Sequence, residues 1–169
     1  VGYALADPDE LDAALLRREH AAGRLQVIGE VGAQYAGVTP NDPRMERLYA
    51  LAEELDVPVA LHMHPGPPGA AYPPFSMTRM RAANGHPLLL EEPLLRHPKL
   101  RLYVMHAAWP FFDETIALMY AHPQVYVDIG ALDAGRVDIA GGRDALEPAT
   151  AAAFLHLDDA DAWRAAGAD

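Results

Sequence analysis

The most constraining feature of this sequence is a regular alternation of short apolar segments with longer segments of helical periodicity. Helices are predicted at residues 7–23, 44–55, 88–96 and 111–121, and strands at 25–31, 57–62, 100–106 and 125–129. Because the predicted strands are apolar along almost their whole length, we expect them to be parallel and buried on both faces. Two architectures meet this requirement, the doubly wound sheet and the (β/α) barrel.

The pattern of glycines favours the barrel. The chain contains no G-x-G-x-x-G and no G-x-x-x-x-G-K, the sequences with which doubly wound proteins commonly hold phosphate groups. A complete barrel needs about 200 residues or more, and this chain has 169. The predicted fold is therefore α/β, a partial (β/α) TIM-type barrel with about four parallel strands, incomplete at both ends.

The predicted barrel segment occupies residues 1–130. Residues 131–169 are rich in alanine, glycine and aspartate, and no segment there has the apolar pattern of the upstream strands. We predict a partly helical tail for this part, with a helix near residues 154–163.

Composition limits the class of partner. A net charge of −11 and a pI near 5.0 disfavour nucleic acid and anionic membranes, so a small-molecule substrate is expected. The chain has no cysteine, so any metal must be held by histidine, aspartate or glutamate. It has no basic leader and no apolar run of about 20 residues, which predicts a cytoplasmic protein.

Each predicted strand ends in a residue that can bind a metal. Glu30, His62, His106 and Asp128 lie at or near the ends of the four strands, and His64 follows two residues after His62. In a (β/α) barrel the active site lies at the carboxyl ends of the strands, so these side chains are expected to converge. Imidazole nitrogen and carboxylate oxygen are natural ligands of Zn²⁺ and similar cations.

Structural roles compete with these assignments. A salt bridge would explain Glu30, a helix cap would explain Asp128, and a satisfied core histidine would explain His106. The other histidines are assigned to structure or solvent, because three of them precede proline and two lie on polar or uncertain segments: His86, His97, His122, His20 and His156.

A substrate pocket is predicted beside the metal ligands. His64 begins a loop rich in proline and glycine. The restricted backbone of this loop would hold the loop over the site. Tyr72 and Trp109 are predicted to line this pocket, although aromatic side chains serve packing at least as often.

Four segments together resemble a known family. They are VIGEVG at residues 27–32, VPVALH at 57–62, YVMHAAWP at 103–110 and VYVD at 125–128. In order and spacing they resemble the amidohydrolase-related TIM-barrel family over about residues 8–132. The resemblance implies hydrolysis of amides, esters or lactones with a divalent metal ion, here predicted as Zn²⁺, or in some branches decarboxylation. It also implies that His62 and His106 are metal ligands and that Glu30 is the glutamate of an earlier strand.

The chain departs from the family pattern at three places. His64 stands where members commonly have glycine. The family's H-x-H of the first strand is expected before Val1, and no strand ends in the aspartate that serves the metal-bound water as base. Asp128, one strand after His106, is the catalytic candidate that the chain offers. An inactive fragment is thus an alternative to a hydrolase or decarboxylase, and open sheet edges predict self-association.

Overall fold

The computed structural model describes residues 2–65, 69, 71–73 and 79–130. Within these residues, five strands and four α-helices alternate. The strands are β1 (Gly2–Leu5), β2 (Val27–Val31), β3 (Val59–His62), β4 (Leu102–Met105) and β5 (Val125–Val127). The helices are α1 (Ala13–Ala21), α2 (Glu46–Leu55), α3 (Glu91–Arg96) and α4 (Phe112–Ala121). In the described residues, no helix is long and apolar enough to cross a membrane.

All five strands lie parallel in one sheet, in the order β1-β2-β3-β4-β5. Each strand pairs with the one before it in the sequence, as the strands of a (β/α) barrel do, whereas a doubly wound sheet reverses its strand order at a switch point. The carboxyl ends of the strands share one edge of the sheet. Side chains at strand ends that are 30 or more residues apart in sequence therefore become neighbours.

Strand β1 was not predicted from the sequence. It pairs with β2 through Gly2 with Val27 and Tyr3 with Ile28, and the register shifts before Leu5 pairs with Val31. Four residues are too few to show a period, and only Leu5 is buried, so no apolar run marks the strand. The described sheet thus has five strands where about four were predicted.

The other predicted elements are present with shifted ends. The predicted helices at 44–55 and 88–96 each begin as a 3-10 turn, at Pro43–Met45 and Pro87–Leu90, before the α-helix starts. Helix α1 is capped by Asp12, whose carboxylate accepts the Leu15 N–H at 2.9 Å. The helix predicted at 154–163 lies outside the described residues.

The core lies between the sheet and the helices. Strand β3 is buried at every position, as its apolar residues 59–61 predict, and the burial extends to His62 at its end. Helix α2 buries one face through Leu48, Leu51, Ala52 and Leu55, the spacing of an amphipathic helix. Leu16 of α1 and Leu118 of α4 are fully buried. This packing fixes the strands, and hence the side chains at their carboxyl ends.

Strands β2 and β3 approach each other closely at Gly29. A Cβ atom at this position would lie 2.5 Å from the Cβ of Ala60 and 3.0 Å from the Ala60 carbonyl oxygen. Only glycine fits there without moving a strand. The next residue is Glu30, and Ala60 is two residues from His62, so this contact sets the spacing of two candidate ligands.

Candidate metal centre

Three of the predicted ligands converge at the carboxyl edge of the sheet. Glu30, His62 and His106 each offer a ligand atom, and these atoms all lie within 4.8 Å of one another. Glu30 Oε1 is 3.7 Å from His62 Nε2, and the rings of His62 and His106 have centroids 4.8 Å apart. Ligands about 2.0–2.2 Å from a tetrahedral zinc lie about 3.3–3.6 Å apart. The Glu30–His62 distance of 3.7 Å is close to this range, and the oxygen and nitrogen donors of the three residues suit such a cation.

His106 is oriented by a hydrogen bond from one of its ring nitrogens. Its Nδ1 is 2.5 Å from the carbonyl oxygen of Gly130. A carbonyl can only accept, so Nδ1 carries a hydrogen, and in the neutral ring the free lone pair is then on Nε2. Ligand histidines are usually oriented by such a bond from the other ring nitrogen. This contact supports the fit of the cluster to a divalent cation.

The backbone at His106 is strained. His106, Ala107 and Ala108 have φ values of 59°, 48° and 50°, all in the left-handed region that non-glycine residues avoid. Two side chains hold this turn: Thr115 Oγ1 donates to the Ala107 carbonyl at 3.0 Å, and Asp128 Oδ1 accepts the His106 N–H at 3.0 Å. Strain held in place by neighbouring bonds is typical of functional sites.

Asp128 bonds to the backbone rather than to the ligand group. Its Oδ1 accepts the N–H of His106 and, at 2.6 Å, the N–H of Gly130, and it lies 3.9 Å from His106 Nδ1. The first bond reaches the turn after β4 and the second is a local bond two residues along the chain, so a helix cap by Asp128 stays a prediction. Asp128 therefore positions His106, and its predicted catalytic role stays a prediction.

His62 is buried and both of its ring nitrogens have partners. Gln34 Nε2 is 2.7 Å from Nδ1, and the Tyr35 hydroxyl is 2.9 Å from Nε2. Burial lowers the pKa of His62 to about 4, with the neighbouring His106 and His64 rings acting in the same direction. His62 is consequently neutral near pH 7, the form in which imidazole binds metals.

Gln34 and Tyr35 were not predicted from the sequence. Both belong to the 3-10 turn Ala33–Ala36, inside a segment predicted only as a loop. Burial raises the pKa of Tyr35, and the negative charge of Glu30 raises it further, so the phenol stays neutral. No periodicity marks these residues. Their short distance from the end of β2 was the one available signal, because the loops after barrel strands supply site residues.

Two of the three predicted pocket residues lie at the site. The rings of His64 and Trp109 are stacked, with centroids 5.3 Å apart and planes at 21°, and His64 is 5.6 Å from His106. Burial lowers the pKa of His64, and His106 lowers it further. Tyr72 is 70% exposed, and its place in the substrate pocket stays a prediction.

The remaining described histidines lie where the sequence placed them. His20 is exposed on α1, and His86, His97 and His122 each follow the end of a helix. His97 has a structural role, because its ring bonds to Glu53 at 3.1 Å and to Glu46 at 2.7 Å. These contacts connect α2 to the end of α3.

Comparisons with known proteins give a family and a fold. The sequence model of a family described as amidohydrolase matches residues 1–164, so the match continues beyond residue 130 into the predicted tail. A solved structure of an uncharacterised TIM-barrel protein from Bordetella bronchiseptica has 21% identity and a TM-score of 0.54, over 76% of this chain and 41% of that one.

The chain thus spans less than half the length of that structure. No functionally curated protein matches significantly. The predicted partial barrel is confirmed by the sequential parallel sheet together with its TIM-barrel neighbour. Because the family match extends over nearly the whole sequence, the chain belongs to the amidohydrolase family.

Proposed function

We propose that this chain forms the metal-binding part of a hydrolase that cleaves an amide, ester or lactone of a small molecule with a metal-activated water. The observation that carries the proposal is the convergence of Glu30, His62 and His106 from three neighbouring strands. The proposed metal is Zn²⁺, because the group offers two imidazoles and one carboxylate. The chemistry that such an ion supplies is polarisation of the substrate carbonyl and a lower pKa for its water.

The protein groups around the cluster have distinct proposed roles. Glu30, His62 and His106 hold the ion, and the carbonyl of Gly130 keeps His106 in the form that can bind it. The stacked rings of His64 and Trp109 form one wall against which the substrate packs. Glu30 is the most exposed of the three ligands, with 45% of its side chain accessible.

Metal analysis tests the proposed ligands. Purified wild-type chain is expected to bind about one equivalent of Zn²⁺, and His62→Ala and His106→Ala to bind much less, because each removes one of three ligands. His20→Ala is the matched control, since it removes an exposed histidine from α1. Equal metal content in all four proteins would refute the ligand assignment.

Product analysis separates hydrolysis from the alternative lyase. The metal-loaded chain is incubated with panels of ester, lactone, amide and aromatic acid substrates, and both acid release and CO₂ release are followed. Acid release supports the proposal, and CO₂ release alone favours decarboxylation. Metal binding without either product would favour an inactive fragment of the family.

Self-association is proposed from the sheet edges. Within the described sheet, β1 and β5 each pair on one side only, and unpaired edges attract further strands. Sedimentation at several protein concentrations tests this, and a concentration-independent monomer would contradict it. Location in the cytoplasm stays a prediction from the sequence.

A further inference from the structure

Strand β3 and the connection that follows it contain no acidic residue. Residues 57–90 include neither aspartate nor glutamate, although the whole chain has 24 acidic residues and a net charge of −11. Apart from histidines, the ionisable charged side chains of this stretch are Arg79 and Arg81. An anion that approaches the chain is repelled by its net charge, and this stretch lacks the groups that repel it.

Arg79 lies beside the turn that borders the proposed ligands. The β3–α3 connection follows the carboxyl end of β3, the edge of the sheet at which the ligands converge. A Cβ at Gly37, which ends the turn Ala33–Ala36, would lie 3.1 Å from the Arg79 Cβ. The same turn carries Tyr35, whose hydroxyl is 2.9 Å from His62 Nε2. The backbone of Arg79 is therefore packed on an element of the site.

The segment that carries both arginines is anchored to the protein. Met80, between them, is 1% exposed, whereas Arg79 and Arg81 are both exposed. The Arg81 carbonyl accepts the N–H of Asn84 at 2.9 Å, and Asn84 lines the same small cavity as His62. Two positive charges are thus held at the surface close to the metal centre.

Arg79 keeps its hydrogen-bond donors available for a ligand. Arginines on the helices are paired with carboxylates, as Arg17 is with Glu54 at 2.5 Å and Arg96 with Glu46 at 3.2 Å. Among the residues that the structure describes, no carboxylate pairs with Arg79. A guanidinium presents parallel N–H groups that match the two oxygens of a carboxylate. Arg79 is therefore suited to hold an anionic group brought from solution.

We propose that the substrate of this metal centre carries a carboxylate group, that Arg79 binds this group, and that Arg81 adds to the attraction. The inference rests on the proposed function and names a feature of its substrate. Because Glu30 is the one carboxylate among the three ligands, a bound divalent ion keeps a net positive charge, which attracts the same kind of substrate. The chain has none of the glycine-rich sequences that commonly hold phosphate, which favours a carboxylate over a phosphate.

Two esters with the same leaving group test this specificity. One is para-nitrophenyl acetate, which is neutral, and the other is the mono-para-nitrophenyl ester of glutaric acid, which carries a carboxylate. The measured quantity is the ratio of kcat/KM for the anionic ester to that for the neutral ester, in the zinc-loaded chain. Arg79→Ala is expected to lower this ratio about 10-fold, because one charged hydrogen-bonding group is lost. Arg79→Lys should lower it less, since the charge remains without the planar fork.

Arg18→Ala is the matched control. It removes an exposed arginine from the last turn of α1, away from the carboxyl edge of the sheet, and should leave the ratio unchanged. An Arg79→Ala ratio equal to that of wild type would overturn the inference. The same fall in Arg18→Ala would also overturn it, because net charge alone would then explain the preference.

Calorimetric titration with glutarate gives a readout that needs no turnover. Arg79→Ala is expected to bind glutarate about 10-fold more weakly than wild type. Tighter binding of inorganic phosphate than of glutarate would overturn the choice of a carboxylate. If the wild-type chain cleaves neither ester, the proposed function fails, and the glutarate titration still decides whether Arg79 binds a carboxylate.

Discussion

Replacing Asp128 tests whether this carboxylate supports the strained turn at His106. Asp128 Oδ1 accepts two backbone N–H groups, those of His106 and Gly130. Asp128→Ala removes both bonds, whereas Asp128→Asn keeps an oxygen acceptor without the negative charge. If Asp128 holds the turn, the two variants differ in stability. If it acts only in catalysis, both should fold as wild type does.

The size of the effect follows from the bonds and the strain. Three consecutive left-handed residues cost about 1–2 kcal/mol each, so the turn needs strong support. A hydrogen bond to a charged acceptor contributes about 1.5–3 kcal/mol, and two such bonds at the lower end of this range together contribute about 3 kcal/mol. Asp128→Ala should therefore lower the free energy of unfolding by about 3 kcal/mol. Asp128→Asn should lower it by about half as much, because neutral bonds are weaker.

Thermal and urea unfolding of the metal-free chain measure these differences. In a domain of this size, about 3 kcal/mol corresponds to a fall in Tm of about 6–12 °C. Glu10→Ala is the control, because Glu10 is an exposed carboxylate on the first 3-10 turn. An Asp128→Ala chain that melts within about 1 °C of wild type would refute the argument that Asp128 stabilises the turn.

Two further predictions concern the sheet and the α2–α3 connection. Gly29→Ala should lower the free energy of unfolding by about 1–3 kcal/mol in urea, because the new Cβ overlaps Ala60. Adding Ala60→Gly should restore part of this stability. If the losses of the two substitutions simply add, the overlap is not the cause. The Lys99 amide and the His97 ring lower the pKa of Glu53 in the folded state, against the opposing effect of burial. A carboxyl group whose pKa is lower in the folded state stabilises the folded protein at pH values above the unfolded-state pKa of about 4.3. This stability is lost as pH falls through the folded pKa. Urea midpoints from pH 6 to 3 should therefore fall more steeply in wild type than in Glu53→Gln, and parallel curves would exclude Glu53 as a cause.

The secondary structure was largely predictable because it depends on local patterns. Helix α2 buries residues three and four apart, and β3 is apolar up to His62 at its end. The type of each element can therefore be recognised from a few residues. Strand β1 has neither property. It is a strand because it pairs with β2, and pairing with a segment 25 residues away leaves no local pattern to recognise.

The three proposed ligands were predictable for a topological reason. Parallel strands joined by helices place their carboxyl ends at one edge, so Glu30, His62 and His106 had to be neighbours once the strands were recognised. The position of Tyr72 was not determined in this way, because it lies far along a loop and not at a strand end. Its exposure differs from that expected of a pocket residue.

The sequence by itself determined the βα alternation and the strand ends that carry the ligands, because hydrophobic period and chain order are local properties. Only the tertiary structure decided how those ligands are held. Gln34 bonds to His62 because a 3-10 turn after β2 faces the end of β3, and Asp128 bonds to the backbone at His106 because β4 and β5 are adjacent. Hydrogen bonds across 22 or more residues depend on the positions of whole strands. A linear pattern of side chains does not contain those positions.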